Sequence, residues 1–166
     1  MARVLAALLL VLALAGCSLD DPTLDERTVG EVVDGDTIVL EGGERVRLVQ
    51  IDAPELAEGE CYGLEARREL ERLLPPGADV RLERDALLDD VDRFGRLLRY
   101  VEHDGVVVNV ALVRRGAASV WFFDGDRGRH ADELLVAVEE ARAGQRGLWG
   151  SCPAARLDPE RGVETR

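Results

Sequence analysis

The segment from residue 33 to residue 55, VDGDTIVLEGGERVRLVQIDAPE, constrains the fold more than any other part of the chain. Apolar residues alternate with polar ones between two glycine-containing turns, a pattern typical of paired β-strands. Asp34 and Asp36 lie at the start of the second strand, and Asp52 and Glu55 follow the third. Because a hairpin brings these strand ends together, the sequence predicts a cluster of carboxylates opposite the hairpin turn.

The register of this hairpin alone does not bring Asp36 and Asp52 together. A two-residue turn at Gly42-Gly43 sets Asp36 opposite Val49 and leaves Asp52 about 10 Å further along. We therefore expect a bend or bulge that returns Asp52 toward Asp36, as small barrels commonly provide. Alternation also places Arg47 among apolar neighbours on one face of the third strand, and an edge strand with a solvated face is the alternative interpretation.

The residue types indicate a metal-and-phosphate site. Like charges held close together repel unless a cation bridges them, and oxygen ligands without nearby His or Cys favour Ca²⁺ or Mg²⁺ over Zn²⁺. The Asp-Gly-Asp string alone fits an acidic turn equally well. Arg47 and Arg96 would neutralise the charge that forms on a phosphodiester when water attacks phosphorus, and Glu55 would orient or deprotonate that water.

Periodicity over the rest of the chain predicts a small α+β barrel. Five strands are followed or interrupted by helices in an order typical of this class. Strands are predicted at 28–33, 36–40, 45–51, 78–84 and 96–103, and helices at 62–74, 108–115 and 129–143. The extended apolar run at 117–123 contains Trp121, which we interpret, like Trp149, as a packing residue.

The overall charge disfavours a nucleic-acid partner. The net charge is −12, and phosphate backbones repel carboxylates. The sequence contains no lysine, so every basic residue is an arginine, which keeps its charge and its bidentate fork wherever a phosphate is gripped. We attribute most of the negative charge to solvated surface that keeps the protein soluble.

The first 17 residues predict export. One early Arg precedes an apolar run too short for a comfortable membrane span, and the run ends in Leu14-Ala15-Gly16-Cys17, which resembles the lipobox of bacterial lipoproteins. A buried core helix is the alternative. We expect a lipid anchor at Cys17 as the only membrane contact, and a location in the cell envelope. The expected organisation is a signal peptide at 1–17, an acidic tether at 18–27, a folded domain at 28–152 and a disordered tail at 153–166.

Five segments resemble the staphylococcal nuclease (thermonuclease) family, in the order and spacing of that family. They are VDGDTI, RLVQIDAPE, DRFGR, VNVALVRRGAA and the closing GLW, and they cover about residues 29–150. The resemblance implies a five-stranded OB-fold barrel with three helices, and Ca²⁺-dependent endonucleolytic cleavage of DNA and RNA that leaves 3′-phosphates. We expect a monomer.

The same resemblance implies roles for individual residues. The calcium carboxylates correspond to Asp36 and Asp52, with the backbone carbonyl of Ala53 as a further ligand and Asp34 as an outer-shell acid. Glu55 corresponds to the proposed general base. The two phosphate-binding arginines correspond to Arg47 and Arg96.

The chain also departs from the family pattern around the substrate. Phe94 and Phe122 stand where tyrosine is common, and Arg93 replaces a lysine. We assign these three residues to substrate binding. Residues 57–60 are acidic where some members carry a lysine-rich loop, and Ala53 replaces a threonine, which matters little if only the carbonyl binds. An OB-fold binding module at the cell surface that has lost activity is therefore the second hypothesis, and the net charge favours it.

Two cysteines remain after Cys17, namely Cys61 and Cys152. Exported chains favour disulfides, and the remaining count is even, so we predict a Cys61–Cys152 bridge. Such a bridge closes a loop of about 90 residues and contributes up to about 4 kcal/mol in the chain-entropy treatment. Two free thiols are the alternative.

Overall fold

The structure is a computed structural model, and it describes residues 24–165. The predicted signal peptide, the lipidated Cys17 and the first part of the tether lie outside the described residues. Within 24–165, no helix is both long enough and apolar enough to cross a membrane.

The elements follow the predicted order of strands and helices closely. The structure also contains several short strands and a final short helix that periodicity does not predict. The bounds are β1 Leu24–Val32, β2 Thr37–Leu40, β3 Arg45–Leu48, β4 Ile51–Asp52, α1 Gly63–Leu73, β5 Asp79–Glu83, β6 Leu97–His103, β7 Val106–Val107, α2 Val108–Arg115, β8 Ser119–Val120, a 3-10 turn Phe123–Gly125, α3 Ala131–Ala143, α4 Leu148–Ser151, β9 Arg156–Asp158 and β10 Gly162–Glu164.

Five of these strands close into a barrel. Antiparallel pairing links β3, β2, β1, β5 and β6 in that order, and β3 then pairs with β6 in parallel to complete the ring. The helices α1, α2 and α3 pack around it. The predicted α+β fold, a five-stranded OB-fold barrel with three helices, is confirmed. Because β3 has a neighbour on both sides, the edge-strand interpretation of Arg47 is wrong.

Aliphatic side chains fill the barrel and the faces of the helices. Val46 and Leu48 of β3 are fully buried, as are Leu70 of α1 and Leu134 of α3. Burial of each leucine contributes roughly 2 kcal/mol, so this packing holds the strands that carry the polar site at fixed positions.

The β2–β3 hairpin differs by one residue from the expected register. Thr37 lies opposite Arg47, so Asp36 comes opposite Leu48 and not Val49. The cause is the turn, in which the Leu40 N–H donates to the Glu44 carbonyl at 2.9 Å and encloses three residues.

The expected bend after β3 is present at Gln50. Its φ of 63° is unusual for a residue with a side chain, and three hydrogen bonds stabilise it. The Gln50 side chain accepts from the Tyr100 hydroxyl and the Gly128 N–H, and donates to the Asp126 carbonyl, at 3.2, 2.9 and 2.7 Å. The bend turns the chain back, so that Asp52 lies beside β3.

The predicted tether is wrong for its last four residues. Strand β1 begins at Leu24, and its pairing with β5 runs from Leu24 opposite Glu83 to Thr28 opposite Asp79. Residues 24–27 are exposed, so backbone hydrogen bonds and not burial hold them in the sheet. This part of β1 was not predicted because residues 24–27 are mostly polar and show no apolar alternation.

The predicted disordered tail is also wrong for most of its length. Strands β9 and β10 form a hairpin with Val163 opposite Leu157. It packs against β4 and β8, and the Phe122 N–H donates to the Pro159 carbonyl. Tertiary hydrogen bonds order this segment, and the local sequence carries no sign of them.

The predicted disulfide is present in the structure. Cys61 and Cys152 are bonded, with their Cα atoms 5.9 Å apart and a sequence separation of 91. The bond joins the start of α1 to the residue that follows α4, so the C-terminal hairpin begins at a covalently fixed point.

Candidate active site

Asp36 is buried at the start of β2 and has three hydrogen-bond or ion-pair partners. Its Oδ2 accepts the Ala53 N–H at 2.9 Å and lies 2.9 Å from Nη2 of Arg47, and its Oδ1 accepts the Thr37 hydroxyl at 3.1 Å. Asp34 Oδ1 accepts the N–H of Asp36 at 3.1 Å. The Asp-Gly-Asp turn therefore directs one carboxylate inward and uses the other to hold the turn.

Gly35 is required for this arrangement. A Cβ at residue 35 would lie 2.6 Å from the Cβ of Ala53 and 2.8 Å from the Cβ of Ala66. The turn can approach α1 and the end of β4 only without a side chain at this position.

Arg47 joins the two candidate metal-binding carboxylates. Its Nη2 lies 2.9 Å from Asp36 Oδ2 and 3.2 Å from Asp52 Oδ1. Its Nη1 donates to the carbonyls of Leu48 and Ile51, both at 2.7 Å. The residue is only 6% exposed, so its guanidinium group is engaged by protein atoms on most sides.

Asp52 faces this cluster from the end of β4. While Oδ1 meets Arg47, Oδ2 accepts the Val163 N–H at 2.9 Å. The contact with the C-terminal hairpin was not predicted, because Val163 lies 111 positions away and no motif marks it.

Negative charge exceeds positive charge in this cluster of Asp34, Asp36, Arg47 and Asp52, which we call the carboxylate pocket. Burial raises the pKa of Asp36 to about 7 against the opposing effect of Arg47, and the charges of Asp34 and Asp52 raise it further. Burial also raises the pKa of Asp52, again against Arg47. One guanidinium group does not neutralise three carboxylates, and a divalent cation would.

The donor set of the pocket fits a hard cation. Its side-chain donors are carboxylate oxygens, the ligands that Ca²⁺ prefers, and Asp36 and Asp52 would hold the ion. Within residues 24–165, no group of three or more His, Cys, Asp or Glu side chains is spaced as a complete metal site. The guanidinium group of Arg47 instead lies against both carboxylates.

Glu55 lies at the mouth of the pocket and is exposed. Its N–H donates to Glu60 Oε2 at 2.8 Å, which closes the loop before α1. Partial burial raises the pKa of Glu55, and the charges of Asp34 and Asp52 raise it further. The structure thus brings Glu55 under the electrostatic influence of the pocket while its side chain stays accessible.

Arg96 enters the site from the strand beside β3. Arg96 lies immediately before β6, and Leu98 of β6 lies opposite Arg47 in the parallel β3–β6 ladder, so the two arginines are close in the sheet. Arg96 Nε donates to Asp92 Oδ2 at 2.6 Å. Partial burial acts to raise the pKa of Asp92, but hydrogen bonds from the N–H groups of Arg96 and Phe94 and from the Arg96 side chain hold that pKa below its ordinary value.

Phe94 projects beside these arginines and is 68% exposed. The Cζ atoms of Arg93 and Arg96 lie 4.7 and 5.5 Å from its ring centroid. An exposed ring between two guanidinium groups offers a stacking face and positive charge together, as single-stranded nucleic acid requires. The predicted substrate residues Arg93 and Phe94 are thus placed together.

The prediction for Phe122 is wrong. Phe122 is 2% exposed and belongs to the core, so its ring has no face for a base. Its neighbours are accessible instead: Phe123 is 61% exposed, and its ring meets that of Trp121 edge-on with centroids 5.7 Å apart. Trp121 also lies 5.5 Å from Cζ of Arg47, so it borders the pocket.

The sequence carries no clear signal for these two residues. Ser119 and Val120 are both fully buried, so burial does not alternate along this segment, and Phe123 begins the 3-10 turn. We call the accessible residues of the candidate site the rim. The rim consists of Glu55, Trp121 and Phe123 beside the pocket, and of Arg93, Phe94 and Arg96 before β6.

Comparison with known proteins agrees with this arrangement. The family model described as staphylococcal nuclease homologue matches residues 45–151. The chain belongs to this family. The matched part contains Arg47, Asp52, Glu55 and Arg96, whereas Asp34 and Asp36 precede it.

Individual members of the family are similar over most of the chain. A thermonuclease of Staphylococcus intermedius is 32% identical over 128 residues, which cover 73% of this chain and 74% of the relative. Protein ParB of Escherichia coli is 38% identical over 136 residues, which cover 73% and 70%. Endonuclease YncB of Bacillus subtilis is 32% identical over 129 residues, which cover 74% of this chain but 60% of the relative.

Proposed function

We propose that this protein is a Ca²⁺-dependent phosphodiesterase that cleaves DNA and RNA within the chain and leaves 3′-phosphate ends. The observation that carries the proposal is the carboxylate pocket, in which Asp36 and Asp52 converge on Arg47 with an excess of negative charge. Burial of these charges destabilises the fold, and a protein that only binds a partner does not require such a buried cluster. Membership of the nuclease family and the names of relatives, endonuclease and thermonuclease, support the same conclusion.

The pocket supplies the place for the cation. Asp36 and Asp52 would hold Ca²⁺ with the Ala53 carbonyl, and Asp34 would act from the outer shell. The bound ion would supply positive charge to a phosphate oxygen.

Glu55 is the proposed general base. It is exposed at the mouth, where a water molecule and a phosphodiester can both approach, and its raised pKa brings it closer to neutral pH. Its carboxylate would take the proton of the attacking water.

The two arginines have different environments, and we propose different contributions. Arg96 is partly accessible beside Phe94, and its charge would hold the phosphate from the rim. Arg47 is bound by both carboxylates, so it braces the pocket and contributes a fixed positive charge at the reacting phosphate.

We also propose that the protein acts as a monomer at the cell envelope, anchored through a lipid on Cys17. The pattern of residues 1–17 supports this location, and the Cys61–Cys152 disulfide suits an exported chain. The net charge of −12 favours the second candidate function, an inactive binding module at the cell surface.

Degradation of DNA by the soluble fragment 18–166 separates the two candidates. We expect plasmid and single-stranded DNA to be cleaved in Ca²⁺ and to survive in a chelator. Binding of DNA without cleavage in Ca²⁺ would establish the binding module instead.

Substitution of Glu55 tests the assignment of the base. Glu55→Gln should lower kcat by about 10² to 10⁴-fold, the usual range for removal of a general base, while circular dichroism and Tm stay unchanged. Glu44→Gln is the matched control, because Glu44 is also exposed but lies in the β2–β3 turn, at the other end of the hairpin from Asp36, and should keep the parental kcat. A parental kcat in Glu55→Gln would refute the assignment.

A further inference from the structure

The C-terminal hairpin, residues 156–164, contacts the carboxylate pocket although it lies outside the part of the chain that the family model matches. Val163 N–H donates to Asp52 Oδ2 at 2.9 Å. The backbone of Gly162 also lies against this carboxylate, because a Cβ at Gly162 would overlap the carboxylate group. Strand β10 of the hairpin therefore holds Asp52, a side chain that we propose as a ligand of the metal ion.

The same hairpin holds the rim beside the pocket. Trp121 Nε1 donates to the Glu160 carbonyl at 3.2 Å, and the Phe122 N–H donates to the Pro159 carbonyl. Since the Trp121 ring lies 5.5 Å from Cζ of Arg47, the hairpin supports two of the residues that contact that arginine, Asp52 and Trp121.

The hairpin supports the site without closing it. Glu55 remains exposed, and Phe94 and Phe123 are 68% and 61% exposed. A segment that blocked the substrate would cover these side chains. Within the pocket, the hairpin instead binds Oδ2 of Asp52, the oxygen that does not pair with Arg47.

We propose that the C-terminal hairpin is a positioning element of the catalytic site, in which the Val163 amide fixes Asp52 so that its other oxygen stays directed at Arg47. This inference rests on the proposed function. An N–H that binds one carboxylate oxygen favours the ionised form and fixes its orientation, as partners of metal-binding carboxylates do in general. The hairpin starts at Arg156, so the disulfide at Cys152 fixes the chain a few residues before its first strand.

Two substitutions in fragment 18–166 test the contact. Val163→Pro removes the N–H. Gly162→Ala retains the N–H but places a methyl group against the Asp52 carboxylate, and it also strains the backbone because φ at Gly162 is 89°. Calorimetric titration with Ca²⁺ should give a Kd raised about tenfold in both, the lower end of the usual effect of an outer-shell partner. We expect kcat to fall by a similar factor while KM changes by less than about twofold, since the rim is untouched. Glu164→Ala is the control, because Glu164 is exposed beside Val163 and should keep the parental Kd.

Removal of the whole hairpin provides a second test. Truncation after Ala155 deletes three arginines and three acidic residues, so it leaves the net charge unchanged and isolates the effect of positioning. In a Trp149→Phe background, Trp121 is the single tryptophan, and its emission should shift to longer wavelength when the Glu160 contact is lost. Circular dichroism gives the folded fraction to which Kd and kcat are normalised.

The outcomes separate this inference from the proposed function. A parental fragment that neither binds Ca²⁺ nor cleaves DNA overturns both. An active parental fragment with unchanged Kd and kcat in Val163→Pro and Gly162→Ala overturns the positioning role alone. A truncated chain with higher activity also overturns it, because the hairpin would then be an inhibitory cover.

Discussion

The carboxylate pocket and the rim are built in different ways. Asp36, Arg47 and Asp52 are each held by two or more protein groups at 2.7 to 3.2 Å. In the rim, Phe94 and Phe123 are mostly exposed, and their contacts are ring contacts at 4.7 Å or more. The pocket therefore takes its geometry from folding, whereas the rim can adapt to the substrate that enters it.

This difference predicts which property a substitution in each region should change. A side chain in the pocket supports both the fold and the proposed chemistry, so its loss should lower stability and kcat together. An exposed aromatic side chain in the rim, such as Phe94, is solvated before the substrate arrives, so its loss should change substrate binding and leave stability unchanged. Three variants test the division.

Arg47→Met should have the largest effect. It leaves Asp36 and Asp52 without their cation, which typically destabilises a fold by about 3 to 5 kcal/mol, and it should lower kcat by at least about 10²-fold. Urea unfolding should show a greater loss at pH 8 than at pH 5. Burial raises the pKa of Asp36, and Arg47 lowers it, so the pKa of Asp36 should be higher still in the variant. Asp36 then keeps its proton in the folded protein at pH values where the unfolded chain releases it. Stability is therefore lost as pH rises through the folded-state pKa.

Arg99→Met is the matched control for that variant. Arg99 is also largely buried and pairs with Asp90 at 2.8 Å, but it lies outside the pocket. It should lower stability while the folded protein keeps its kcat. Equal stability of Arg47→Met at the two pH values would contradict the charge argument.

Phe122→Ala should have the next largest effect. Because Phe122 is 2% exposed, the substitution leaves a core cavity and should lower the free energy of unfolding by about 3 to 5 kcal/mol. At a temperature where the variant is folded, KM for single-stranded DNA should stay at the parental value. A raised KM with unchanged stability would show that Phe122 binds the substrate and would contradict its assignment to the core.

Phe94→Ala should have the smallest effect and the opposite character. Loss of one stacking face is worth about 1 kcal/mol, so KM should rise about fivefold while kcat and Tm stay near their parental values. Leu87→Ala is the control, because Leu87 is 70% exposed but lies outside the rim. Equal KM values for the two variants would remove Phe94 from the rim.

The fold and the pocket could be predicted because their signals are local. Strand alternation located β2 and β3, and the carboxylates at their ends could only meet if the chain bent, as it does at Gln50. The position of Arg47 among apolar residues of β3 indicated that it belongs to the site. The register was wrong by one residue, since the turn encloses three residues where two glycines favoured two.

The remainder depends on contacts between distant positions. Residues 24–27 form a strand only because β5 pairs with them, and the C-terminal hairpin is ordered through Asp52 and Trp121. Phe122 was assigned to the substrate because tyrosine is common at that position in the family, whereas the fold of this chain buries it in the core.

The Cys61–Cys152 bond has a consequence for the durability of the protein. It spans α1 to α4 and the acidic segment 84–92 between them, which contains exposed residues such as Leu87. A protease that cuts once between Cys61 and Cys152 leaves two pieces joined by the disulfide, with Glu55 on one piece and the C-terminal hairpin on the other. Such a cut would be silent in electrophoresis without reductant and would appear only after reduction.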